Sequence, residues 1–78
     1  MRQKTLKFVI TFHTTTDAMA MEKLCKNKQA PGRLIPVPRE ISAGCGLSWA
    51  APTEAKDALL GLMAEDALEA EGTYEILI

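Results

Sequence analysis

Apolar side chains recur along this chain with two different periods, and the alternation between them marks out its elements. Leu6, Phe8, Ile10 and Phe12 are apolar at every second position, with Lys7, Val9 and Thr11 between them. Period two places one face of an extended strand on a core. After His13, the threonines of Thr14-Thr15-Thr16-Asp17 are N-cap candidates, and Asp17 suits the positive end of a helix. Ala18, Met21, Leu24 and Cys25 follow at steps of three and four, which is one face of that helix. Lys23, Lys26 and Lys28 lie toward its end, where cations suit the dipole, and Pro31-Gly32 stops it. Arg33 to Pro38 reads as a second strand. Pro36 and Pro38 cannot donate to a ladder, so it belongs at a sheet edge. Arg39 to Gly46 reads as a polar, glycine-bearing loop. Leu47, Trp49 and Ala51 then alternate with Ser48 and Ala50 in a third strand. Past Pro52, Thr53 is the expected N-cap of a second helix, with Glu54 and Asp57 in its first turn and Ala55, Ala58, Leu59, Leu62 and Met63 as its buried stripe. Gly72 lies where a C-terminal cap is wanted, and Tyr74, Ile76 and Ile78 alternate in a last strand.

The order βαββαβ, within a single domain spanning residues 1–78, is that of an α+β ferredoxin-like fold: a four-stranded antiparallel sheet with two helices on one face. Right-handed crossovers put the first and third strands in the centre and the second and fourth at the edges. The proline-bearing strand then falls at an edge for two independent reasons. The same topology carries the loop Arg39 to Gly46 to the sheet end that holds His13 and the start of the first helix. The face away from the helices is expected to carry Val9, Thr11, Ser48, Ala50 and Leu77.

Composition narrows the chemistry by exclusion. A chain of 78 residues builds a thin core, so a homodimer would add stability. Nine basic against ten acidic residues leave no basic excess for nucleic acid. No run approaches the roughly 20 apolar residues needed to span a bilayer. The basic start alternates like a strand and lacks a small-residue cleavage site, so it is not read as a signal peptide, and a cytoplasmic address is expected. Cys25 and Cys45 belong to different elements and make no disulfide framework. With one histidine, they cannot complete a tetrahedral zinc site. No cofactor is expected.

Cys45 is the residue with chemical promise. A thiol becomes reactive as the thiolate, which a nearby cation or helix N-terminus favours. Arg39, His13 and the amides around Thr15 to Asp17 are candidates for that role. Gly44 and Gly46 flank the sulfur without shielding it and let backbone amides approach. Each feature also has a plainer reading. The glycines would only shape a hairpin loop, Cys45 would pack as a small hydrophobe, His13 would be a cap or surface residue, and Arg39 and Glu40 a solvated pair. Cys25 falls on a helical apolar stripe and reads as core, Trp49 as core or interface, and the lysines around Lys26 as a solvated face. A metal site from Cys45, His13 and Glu40 is disfavoured, because soft-metal sites usually want two thiolates.

The stretch Pro31-Gly32-Arg33-Leu34-Ile35-Pro36-Val37-Pro38-Arg39-Glu40-Ile41-Ser42-Ala43-Gly44-Cys45-Gly46-Leu47 resembles the selenium/sulfur carrier protein-like family of small bacterial proteins. That family's pattern is a Pro-Arg-x-(Ile/Leu)-Ser run followed by Cys-Gly-Leu. Pro38, Arg39, Ile41, Ser42, Cys45, Gly46 and Leu47 fit it, and the Thr-Thr-Asp-Ala stretch with Glu22, Lys23 and Leu24 is similar to the family's first helix. The resemblance implies that Cys45 holds sulfur as a persulfide, or the selenium equivalent. The protein would be a carrier without turnover of its own, passing the atom from a cysteine desulfurase-like donor to an acceptor protein. It defines no role for the supporting residues Arg39, Ser42, Gly44, Gly46 and His13. In the alternative, the protein is a non-catalytic regulatory or interaction module that binds a ligand or dimerises through the helix-free sheet face, with Cys45 structural.

Overall fold

The computed structural model describes residues 5–41 and 46–78. The chain forms β1 (Leu6–Thr11), α1 (Thr15–Lys28), β2 (Arg33–Pro36), β3 (Leu47–Pro52), a 3-10 turn (Thr53–Ala55), α2 (Lys56–Glu65) and β4 (Gly72–Leu77). All strand pairs are antiparallel, and the order across the sheet is β2-β3-β1-β4. This is the ferredoxin-like α+β arrangement expected from the hydrophobic pattern, with β1 and β3 central.

Of the period-two residues Leu6, Phe8, Ile10 and Phe12, the last three bury as their spacing requires, while Leu6 is exposed. Phe8, Ile10 and Phe12 pack with Met21 and Cys25 of α1, and with Leu59 and Met63 of α2, in one cluster. The register Phe8↔Ala51 and Ile10↔Trp49 brings the β3 residues Ala51 and Trp49 onto the same face. Thr14 caps α1, its hydroxyl accepting from the Asp17 N–H at 3.1 Å. Trp49 is 3 % exposed, and its indole Nε1–H donates to the Pro31 carbonyl at 3.3 Å. That bond ties the turn before β2 to the sheet.

Both helices end before the punctuating residues read from the sequence. In α1, Gln29 takes a left-handed φ of 55°, the Ala30 N–H bonds the Cys25 carbonyl at 2.8 Å, and the Gln29 N–H bonds that of Lys26 at 3.3 Å. The same Schellman pattern closes α2. Ala67 has φ 55°, Leu68 N–H reaches the Met63 carbonyl at 2.9 Å, and Ala67 N–H reaches that of Ala64 at 3.3 Å. The half-buried Leu68 then packs into the core cluster that holds Met63. The helix therefore stops at Glu65, and Gly72 opens β4. Thr53 does not cap α2 but begins the 3-10 turn, and Ala55, which makes no side-chain cap, precedes the helix. A Cβ in the left-handed region costs about 1 kcal/mol or more. Ala67→Gly is accordingly expected to raise unfolding free energy by about 0.5–1 kcal/mol in urea melts. A destabilised variant would mean that the C-terminal stop of α2 is held by something other than this turn.

The last strand differs from the sequence expectation. Val9↔Tyr74 and Lys7↔Ile76 place Tyr74 and Ile76 on the helix-free face, beside Val9. Leu77 lies opposite Leu6 on the helical side, where both are exposed, at 56 % and 47 %. Thr73, Glu75 and Leu77 are all uncovered, because the ten-residue α2 leaves the outer strand bare on that side.

Candidate functional site

The expected site lies at the sheet end where β1 finishes and β3 begins, since Thr11 is opposite Ser48. β2 stops at Pro36 rather than Pro38, yet the hairpin runs one residue further, with the Val37 N–H bonded to the Gly46 carbonyl at 3.1 Å. The chain then turns. The Ile41 N–H closes on the Pro38 carbonyl at 3.0 Å, leaving Arg39 and Glu40 exposed at the tip of the turn.

Ile41 is 7 % exposed and packs with Val9 and Ala50 on the helix-free face, with Ile35, Val37, Tyr74, Ile76 and Ile78 against them. Sequence reasoning passed over this residue by treating Arg39 to Gly46 as polar. The signal was a single branched apolar side chain between Glu40 and Ser42. Its burial anchors the strap at one end, as the Val37–Gly46 bond does at the other. The candidate residues Ser42, Gly44 and Cys45 lie between these anchors, outside the described residues.

The burial of Ile41 changes the character of the helix-free face. Val9, Thr11 and Ser48 are 0 % exposed and Ala50 is 8 % exposed. The Ser48 hydroxyl donates to the Ile35 carbonyl at 3.4 Å and the Thr11 hydroxyl to the Gly72 carbonyl at 3.3 Å, so both buried polar groups are satisfied. The apolar surface expected for a ligand or a facing sheet is thus already covered, and Leu77 is not part of it.

His13 and Gly46 are exposed at the same sheet end, each two residues beyond the Thr11↔Ser48 pair, and Arg39 projects from the adjoining turn. A Cβ built on Gly46 would meet nothing within 4 Å among the described residues. The segment from α2 to β4 brings the exposed Glu65, Asp66, Glu69 and Glu71 to this same end, where the described cationic candidates are Arg39 and His13. β4 stands two strand spacings from β3, or roughly 10 Å, which is about one Debye length at physiological salt. The acids therefore shape the rim that a partner meets more than they perturb a group beside Gly46. The first helix begins at this end too, but on the face opposite Ile41, and its Asp17 N–H is already taken by Thr14.

The other thiol is a structural one. Cys25 is free, 1 % exposed and packed in the helix-side core, and burial pushes its pKa above 9.0. The unfolded thiol ionises first as pH rises, so folding stability is complete below about pH 9 and falls through the window up to the raised folded value. In a Cys45→Ser background, native Cys25 is expected to resist alkylation at pH 8, while denatured chain reacts fully. Rapid native labelling would contradict its placement in the core.

Among the described residues no three His, Cys, Asp or Glu side chains converge as a metal site, and no helix is long and apolar enough to cross a membrane. A family model described as Putative Se/S carrier protein-like matches residues 7–75. No curated protein and no solved structure matches the chain.

Proposed function

The chain belongs to the Se/S carrier protein-like family, and from that premise we propose that it carries sulfur, or selenium in its place, on Cys45. The observation that supports this most directly is that the family match covers residues 7–75, a range that includes Cys45-Gly46-Leu47, while the other thiol is buried in the core.

The Cys45 thiolate attacks the outer sulfur of a persulfide on a donor such as a cysteine desulfurase. A new S–S bond forms at Cys45, the bond between that sulfur and the donor cysteine breaks, and the donor leaves as thiolate. An acceptor nucleophile then attacks the outer sulfur and releases the Cys45 thiolate. No net oxidant is consumed in either transfer. Rate depends on thiolate fraction and on access. Gly44 and Gly46 keep the flanks of the sulfur small. Arg39 supplies the nearby cation, Ser42 a hydroxyl donor, and His13 a second polar group at the same sheet end. Ile41 is buried on the helix-free face and Gly46 is bonded to Val37, so the described residues on either side of the Cys45 segment are tied to the sheet. The acidic rim of Glu65, Asp66, Glu69 and Glu71 suits a partner with a basic docking face.

The testing experiment is intact-protein mass spectrometry after incubation with a cysteine desulfurase and free cysteine. Uptake of one sulfur that depends on Cys45 supports the proposal. A chain with a free Cys45 thiol and no uptake, from either a sulfur or a selenium donor, would count against it.

A further inference from the structure

The two edges of the sheet are built differently. β2 carries Pro36, with Pro38 just after it, and the Val37 N–H is bonded inward to Gly46. These are devices that stop another strand from adding. β4 has none of them. Thr73-Tyr74-Glu75-Ile76-Leu77-Ile78 contains no proline and one charge, and β4 ends the strand order.

The ladder shows which backbone groups of β4 face outward. Thr5 and Ile78 exchange both hydrogen bonds, at 3.2 and 3.1 Å. In an antiparallel pair such exchange recurs at every second residue, so Ile76 and Tyr74 also direct their amides to β1. Thr73, Glu75 and Leu77 direct theirs away from the sheet. The side chains at this edge are apolar on one face, with Tyr74, Ile76 and Ile78, and mixed on the other, where the exposed Leu77 lies beside Leu6 in a row with Thr73 and Glu75.

We propose that β4 pairs antiparallel with β4 of a second copy of this chain, extending the four-stranded sheet across a two-fold axis. A two-fold axis perpendicular to the sheet keeps each face continuous, and it matches the outward groups of one strand to those of the other. Glu75 opposite Glu75 would set like charges together, which is unfavourable. Shifting the register so that Ile76 meets Ile76 removes this clash, places Glu75 opposite Leu77, and still allows both residues to exchange their outward hydrogen bonds. Leu77 of the second copy then comes to the groove of about 230 Å³ lined by Phe8, Lys56, Thr73, Tyr74 and Glu75. There the Lys56 ammonium bonds Glu75 at 3.3 Å and stands 5.9 Å from the centre of the Phe8 ring, so a leucine entering meets a charge pair already neutralised. The pairing covers Leu77, which with Leu6 and Met19 is one of the large apolar side chains exposed in the monomer. It leaves the opposite, β2 edge of the sheet free.

Sedimentation equilibrium on the full chain across micromolar to submillimolar concentrations tests this. Wild type is expected to approach twice the monomer mass at the upper end. Leu77→Glu sets an acid opposite Glu75 of the second copy without touching the β1–β4 ladder, and Glu75→Pro removes one outward amide. Both are expected to lose the dimer while keeping the wild-type far-ultraviolet circular dichroism spectrum. Should Glu75→Pro unfold, Leu77→Glu alone decides, since its side chain is exposed. A wild type that stays monomeric throughout, or a dimer unaffected by Leu77→Glu, overturns the proposal. A heterologous peptide pairing with β4 in a monomeric wild type would likewise overturn it.

Discussion

Cys45→Ser is expected to abolish sulfur uptake outright, while wild type and Cys25→Ala each gain one sulfur from a desulfurase and cysteine. The loss should be complete rather than graded. A serine hydroxyl does not ionise near neutral pH, and no alkoxide is available to attack the donor persulfide. Cys25→Ala is the informative companion, because Cys25 is buried against the helices and should neither receive nor relay sulfur. Alanine is preferred to serine at that site, since a hydroxyl left unpartnered in the core costs about 1–3 kcal/mol. Arg39→Gln adds a mechanistic readout. If Arg39 favours the Cys45 thiolate as proposed, its loss shifts the pH profile of Cys45 alkylation upward without changing the number of sulfurs bound at completion. Sulfur retained by Cys45→Ser would remove the carrier assignment from this residue. An unshifted alkylation profile in Arg39→Gln would remove only the role given to the arginine.

Gly32→Ala is expected to be the most damaging single change to stability outside the helix-side core. Gly32 has φ +118°, a region that L side chains rarely adopt, and non-glycine residues held there cost on the order of 1–3 kcal/mol. A Cβ would also stand 2.3 Å from Trp49 Nε1 and 2.7 Å from the Ala50 carbonyl. Trp49 would have to move, breaking its bond to the Pro31 carbonyl, and overpacking of this kind costs about 1–3 kcal/mol. Together these suggest a loss of about 3 kcal/mol or more. For a domain of this size that corresponds to roughly 12–24 °C in melting temperature. Thermal melts followed by tryptophan fluorescence would report both the midpoint and the displaced indole. A midpoint within a few degrees of wild type would mean the turn relaxes without disturbing Trp49.

Much of this was legible from residue order because it depends on local periodicity. The alternation Leu6, Phe8, Ile10, Phe12 and the helical recurrence Ala18, Met21, Leu24, Cys25 are spacings along short stretches of chain, and all of them but Leu6 are buried. The prolines after Arg33 marked an edge because a missing N–H is a property of the residue itself. Tyr74, Ile76 and Ile78 were harder, since alternation shows that one side of a strand is apolar but not which face of the sheet it joins. Only the register with β1 placed them beside Val9. The end of α2 was hidden for a similar reason. Ala67 is an unpromising left-handed residue, and it is held there because Leu68 gains burial alongside Met63.

By itself, the sequence determined the βαββαβ order, the central strands, the assignment of Cys25 to the core and the motif around Cys45 that marks the family. Each of these rests on covalent neighbours or on spacing within an element. The tertiary structure decided the rest: Ile41 closing the helix-free face, the acidic rim arriving at the loop's end of the sheet, and β4 left bare at its outer edge. Those are contacts between segments far apart in the chain. Whether a side chain is buried, or which charges become neighbours, depends on where the other segment lands, and no local pattern carries that information.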